Sequence, residues 1–110
     1  QLLSRLTGRI TCTEDANAAA KDADLLYTDV WVSMGKEAEA SDRLAILAPY
    51  QLNETVVSRA KRDALVMHCL PAYRGKEITE DVFEANADTI FAQAENRLHV
   101  QKAILSWVVQ

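Results

Sequence analysis

Long apolar runs are missing from this sequence. No stretch of its 110 residues approaches the ~20 apolar positions of a membrane-spanning helix, which excludes a span of that kind. Cysteine is scarce as well. Cys12 and Cys69 stand 57 positions apart with no CxxC spacing, against both a zinc ribbon and a dense disulfide framework. That usage fits a reduced intracellular compartment. Neither GxGxxG nor a P-loop occurs, so nucleotide binding has no motif to rest on. Positive charge is not in excess: 12 Lys and Arg are scattered along a chain of net charge −4, unlike a nucleic-acid footprint. Pro-rich linkers, low-complexity blocks and internal repeats are absent, and the length is that of one domain.

An initiator Met is absent too, and no charged segment leads into a long apolar one, so no signal peptide is read. The opening Leu2-Leu3-Ser4-Arg5-Leu6, with Gly8 as its stop, reads as the tail of a helix. The expectation is a piece of a longer protein.

What is present is a globular composition, 49% hydrophobic and 25% charged. Residues 10–13 form a short β-branched run that predicts a strand. Asp15 caps a predicted helix over 16–23, rich in alanine. Leu25-Leu26-Tyr27-Thr28 is a continuous apolar run of the kind found in strands buried on both faces. A helix is predicted over 37–48, ended by Pro49, and a short one after Asn53. Residues 64–67 form another apolar run. Thr79 with Glu80 and Asp81 starts a further helix, its acids facing the positive end of the dipole. Thr89-Ile90-Phe91 predicts a last strand. From residue 94 onward Val100, Ala103, Ile104, Trp107 and Val108 repeat with a helical period. Alternation of this kind predicts an α/β fold, an open, mainly parallel sheet with helices on both faces. In such sheets ligands bind beyond the carboxyl ends of the strands.

Three polar clusters stand out. Asp29-Val30-Trp31-Val32-Ser33-Met34-Gly35 follows a predicted strand, where a carboxylate can face a cationic ligand; the same residues also suit a plain loop with Asp or Ser as a local cap. His68-Cys69-Leu70-Pro71 ends another strand. A thiol beside an imidazole there serves as nucleophile, metal ligand or ligand contact, or as a buried thiol beside a satisfied histidine. Adjacent His and Cys fit one metal poorly, and the other histidine, His99, is far along the chain. X-Pro bonds carry most cis peptides, which makes Leu70–Pro71 the candidate for one. Glu95-Asn96-Arg97 is expected at the start of the last helix, where Arg faces an anion or carbonyl oxygen, or simply solvent.

Together, DVWVSMG (29–35), HCLP (68–71) and AENRLHVQKAIL (94–105) resemble the aspartate/ornithine carbamoyltransferase family, in the right order and over nearly the whole chain. SMG after the aspartate, and Cys69 where the aspartate branch carries Pro, point to the ornithine branch. The resemblance implies a Rossmann-like second domain, so residues 1–110 are expected to be one N-terminally truncated ornithine-binding domain with its final helix at about 94–110. It implies transfer of a carbamoyl group from carbamoyl phosphate to the δ-amine of ornithine. Asp29, Ser33, Met34 and Cys69 would contact ornithine; His68, Cys69, Leu70 and Arg97 would hold the carbamoyl phosphate side. Cys69, Asp29 and Arg97 are the catalytic candidates. No metal or cofactor is implied. The family further implies a homotrimer, arginine metabolism, and a cytoplasmic or, in eukaryotes, mitochondrial-matrix location. The family's Ser-Thr-Arg-Thr phosphate-binding signature does not occur, so the 110-residue chain alone is expected to be inactive. A non-catalytic binding module of the same fold, or a transferase for a related amine, are the competing readings.

Overall fold

A computed structural model describes residues 10–32 and 40–109. Gly8, Ser33, Met34 and Gly35 lie outside the described residues. The first helix, α1 (Ala16–Ala20), begins where the Asp15 carboxylate accepts the amides of Asn17 and Ala18 at 2.9 and 3.0 Å. It stops short of the expected residue 23. Lys21 leaves helical geometry and Asp22 takes a left-handed conformation, φ 56°, its amide bonding to the Arg59 carbonyl instead. The expected strand at 10–13 is irregular, exposed chain; β propensity alone does not make a strand without a neighbour to pair with.

Strands β1 (Leu25–Thr28) and β2 (Leu65–His68) pair in parallel, Leu25 opposite Leu65 and Thr28 opposite His68. Leu26 and Val66 are buried, whereas Leu25, Tyr27 and Leu65 are exposed. The apolar runs are thus covered more fully on one face than on the other among the described residues. Between the strands come α2 (Ala40–Leu47), a 3-10 turn over Ala48–Tyr50 that contains Pro49, and the short α3 (Glu54–Val57). Asn53 caps α3 as expected, Oδ1 accepting the Val56 amide at 3.1 Å. After β2 the chain passes a cis Leu70–Pro71 bond and turns at Gly75, whose φ of 83° suits a residue without Cβ. It then returns through Ile78 to α4 (Glu80–Ala85), capped by Thr79.

The expected strand at 89–91 is instead part of α5 (Ala87–Val108). Its three strand-favouring residues are flanked by Ala87, Ala92, Gln93, Ala94 and Glu95, and helix propensity summed over the window prevails. Packing agrees: Ile90 is fully buried, and Phe91 meets Phe83 edge to face with centroids 5.9 Å apart. Asn86 alone separates α4 from α5, its side chain donating to the Val82 carbonyl at 2.8 Å. Glu95-Asn96-Arg97 therefore sits in the middle of a 22-residue helix, not in a first turn. The periodic residues Val100, Ile104 and Trp107 lie along it exposed. Among the described residues no helix is long and apolar enough to cross a membrane.

Ile78, fully buried, closes the core beneath the loop that leaves β2, bridging to both Leu52 and Arg74. Ile78→Ala should cost about 2–5 kcal/mol, and Ile78→Val about 1 kcal/mol, in denaturant unfolding. Equal losses for the two variants would show that this position does not anchor the core.

Candidate functional site

Because Thr28 and His68 are register partners, the next residue of each strand, Asp29 and Cys69, leaves the same end of the sheet side by side. The Cys69 thiol donates to Asp29 Oδ1 at 2.9 Å, across 40 residues of sequence. The same carboxylate oxygen accepts the Val30 amide at 2.6 Å. The Trp31 carbonyl accepts from Arg43 Nη1 at 3.3 Å, which ties the segment after Asp29 to α2.

The electrostatics follow from this geometry. The thiol hydrogen bond, then the Val30 amide, hold the Asp29 carboxyl below its usual range, and slight burial opposes them. Burial pushes the Cys69 thiol up, and so do its bond to Asp29 and the charge of that carboxylate; a Tyr27 hydrogen bond partly offsets this. Asp29 is exposed and Cys69 half-buried. The pair is therefore an ionised carboxylate open to a cation beside a thiol that keeps its proton. A nucleophilic thiolate is not what this surrounding favours.

His68 is not the thiol's partner. It is fully buried. Its Nδ1 accepts the Leu70 amide at 2.9 Å and its Nε2 faces Glu77 Oε1 at 3.1 Å. Both ring nitrogens are thus occupied by the protein, and the direct ligand contact expected of His68 is not what this placement offers. It lies beneath the turn and supports it. Leu70 sits half-buried in a left-handed conformation, φ 54°, a backbone form that costs a non-glycine residue roughly 1–2 kcal/mol.

Arg97 is exposed on α5 and makes no hydrogen bond or ion pair with its side chain among the described residues. It lines an open groove of about 330 Å³ with Gln93, Asn96, Val100 and Gln101. Gln93, one turn before it, donates to the Tyr27 hydroxyl at 3.0 Å. Arg97 is thereby on the helix that reaches the sheet end, about 6 Å along the axis from that contact. No bond joins it to Asp29 or Cys69. Among the described residues no group of three or more His, Cys, Asp or Glu is placed to hold a metal ion.

Three residues outside the expected site contribute to it: Tyr27, Gln93 and Glu77. Tyr27 had one signal, its place two residues before Asp29 on the strand. Glu77 had none, since a lone acid in a polar stretch reads as solvated.

A parallel α/β unit with a carboxylate and a thiol joined at its strand ends defines the class: a ligand-binding domain of the open-sheet kind. The model of the Asp/Orn binding domain of the aspartate/ornithine carbamoyltransferases matches residues 2–108, and the chain belongs to that family. It is 55% identical over 100 residues to an ornithine carbamoyltransferase of Trichormus variabilis, covering 91% of this chain and 33% of that protein. Among solved structures, the anabolic ornithine carbamoyltransferase of Campylobacter jejuni superposes with a TM-score of 0.81 at 46% identity, covering 84% of this chain and 31% of that one. The Pyrococcus furiosus enzyme gives 0.75 at 54% identity, covering 84% and 29%. The chain spans about a third of the length of the curated relatives it matches.

Replacing the carboxylate by an amide keeps an acceptor oxygen for the thiol but removes the negative charge that opposes the thiolate. Asp29→Asn should therefore speed alkylation of Cys69 by iodoacetamide at pH 8 by about threefold to tenfold. Peptide-resolved mass spectrometry separates this from the exposed Cys12. An unchanged or slower rate at Cys69 would show that Asp29 does not govern the thiol.

Proposed function

We propose that the intact protein carrying this chain is an ornithine carbamoyltransferase, and that this chain holds the amino-acid side of its site. The observation that carries the reading is the Cys69–Asp29 hydrogen bond at the paired strand ends. An ionised, exposed carboxylate there suits the cationic amine of an amino acid, and a protonated thiol beside it gives that amine a second, neutral contact. The family membership and the names of the relatives support ornithine as that amino acid.

In this reading the δ-ammonium binds at Asp29 and gives one proton to solvent. The lone pair of the neutral amine attacks the carbamoyl carbon to form the N–C bond, and the proton then left on that nitrogen goes to the departing phosphate. The bond from that carbon to the phosphate oxygen breaks, giving citrulline and phosphate. A free amine titrates near 10, so the site must favour its neutral form. Asp29 orients the amine and Cys69 contacts it. The Leu70 carbonyl and the Arg97 guanidinium hold the carbamoyl group, Arg97 opposing the charge that grows on its oxygen. The resemblance adds Ser33 and Met34 as further contacts to ornithine. The phosphate end is bound by residues outside this chain. The resemblance extends the proposal to a homotrimer acting in arginine metabolism, in the cytoplasm or the mitochondrial matrix.

The test is a citrulline assay. The intact protein should form citrulline from ornithine and carbamoyl phosphate, and the 110-residue chain alone should give none above a buffer blank. Arg97→Ala in the intact protein should lower kcat/KM by about 100-fold, the usual loss for one donor to a developing oxyanion. Its melting temperature should barely move, because the side chain is exposed and unbonded here. A lowered melting temperature with unchanged kcat/KM would make Arg97 structural. Absence of citrulline from the intact protein would overturn the reading.

A further inference from the structure

We propose that Glu77 is a positioning residue, a buried clamp whose single oxygen Oε1 pins both limbs of the Cys69–Leu70 loop and fixes the tautomer of His68. Glu77 and His68 are both fully buried. Oε1 accepts the Tyr73 amide at 2.6 Å and faces His68 Nε2 at 3.1 Å. His68 is the last residue of β2, and Tyr73 is where the chain returns after Pro71. One oxygen atom therefore holds the loop at its departure and at its return. Everything between is the segment that presents Cys69 and Leu70.

The tautomer follows from donor and acceptor roles. An amide N–H donates, so the Leu70 bond at 2.9 Å requires a lone pair on His68 Nδ1. The ring proton must then sit on Nε2, where the Glu77 oxygen is ready to accept it. The order is Glu77, His68, Leu70: the carboxylate fixes the ring, and the ring fixes the left-handed backbone of Leu70. Glu77 touches no ligand in this arrangement and acts through its neighbours.

The other carboxylate oxygen, Oε2, is buried and has no partner among the described residues. The clamp uses one oxygen only. An amide can replace it: in Glu77→Gln the oxygen still accepts both donors, and the NH2 takes the place of the unpartnered atom. Glu77→Ala leaves both donors without an acceptor.

The kinetic part of this proposal rests on the ornithine carbamoyltransferase reading; the spectroscopic part does not. In 15N-labelled intact protein, long-range proton–nitrogen spectra should show His68 neutral and protonated at Nε2. Protonation at Nδ1, or at both nitrogens, would overturn the clamp whatever the variants do. Glu77→Gln should keep those ring shifts and nearly the wild-type kcat. Glu77→Ala should move the ring shifts toward tautomer averaging and lower kcat by about tenfold to 100-fold, as misplacing a positioned group does, with KM for ornithine little changed. Should Glu77→Ala fail to fold, Glu77→Asp, which draws the carboxylate back by one methylene, should show the same changes in smaller measure. A folded alanine or aspartate variant with wild-type ring shifts, or with wild-type kcat, would refute the proposal. If the wild-type protein makes no citrulline, the catalytic reading falls and the ring shifts still decide the clamp.

Discussion

The parallel register of β1 against β2 is the constraint on which the site depends. With Thr28 opposite His68, the residues that follow them must emerge together at one edge. A slip of one residue would turn every side chain to the other face of the sheet. It would take Cys69 away from Asp29 and His68 out of the core. The register is itself held at several points: Leu26 and Val66 pack inward together, Lys61 donates its amide to the Ala23 carbonyl, and the Leu65 amide bonds to the Asp24 carbonyl. Lys61 and Asp24 also pair across the surface at 2.6 Å, a contact worth little by itself in water.

From that edge the structure works in two layers. The upper layer is Asp29 and Cys69, polar, partly open and mutually bonded. The lower layer is His68 and Glu77, fully buried and bonded into the loop above them. A buried polar group without partners costs about 1–3 kcal/mol, so the lower layer tolerates little rearrangement. Gln51 reinforces it from outside, its side-chain amide donating to the carbonyls of Gly75 and Lys76. The candidate site residues keep some exposure, and the residues that hold their loop in place keep none.

Local signals were legible wherever one residue decides the outcome. Asp15, Asn53 and Thr79 cap helices as their side chains dictate, and the apolar runs at 25–28 and 64–67 locate the two strands to within a residue. The placement of Asp29 and Cys69 at strand ends was also readable, because ligand sites of parallel sheets collect there. Residues 10–13 and 89–91 misled for one reason. Each is a short β-branched or aromatic run, and whether it becomes a strand depends on a partner or a flank that a short window does not contain. Glu77 and Gln93 were invisible because burial of a single polar residue is decided by what packs over it. The place of His68 at a strand end makes it read as a ligand candidate, while its ring is consumed by Leu70 and Glu77.

The central claim is that two residues 40 positions apart form one site acting on one amine. A double-mutant cycle in kcat/KM for ornithine, on the intact protein with Asp29→Asn, Cys69→Ser and the pair, measures this directly. Asp29→Asn should lose about 10–100-fold, as for a charged hydrogen bond, and Cys69→Ser less, since a hydroxyl still donates. The combined loss should fall short of the product of the two by a coupling of at least about 0.5 kcal/mol. Losses that multiply without coupling would mean that Asp29 and Cys69 act on separate features, and would contradict the account.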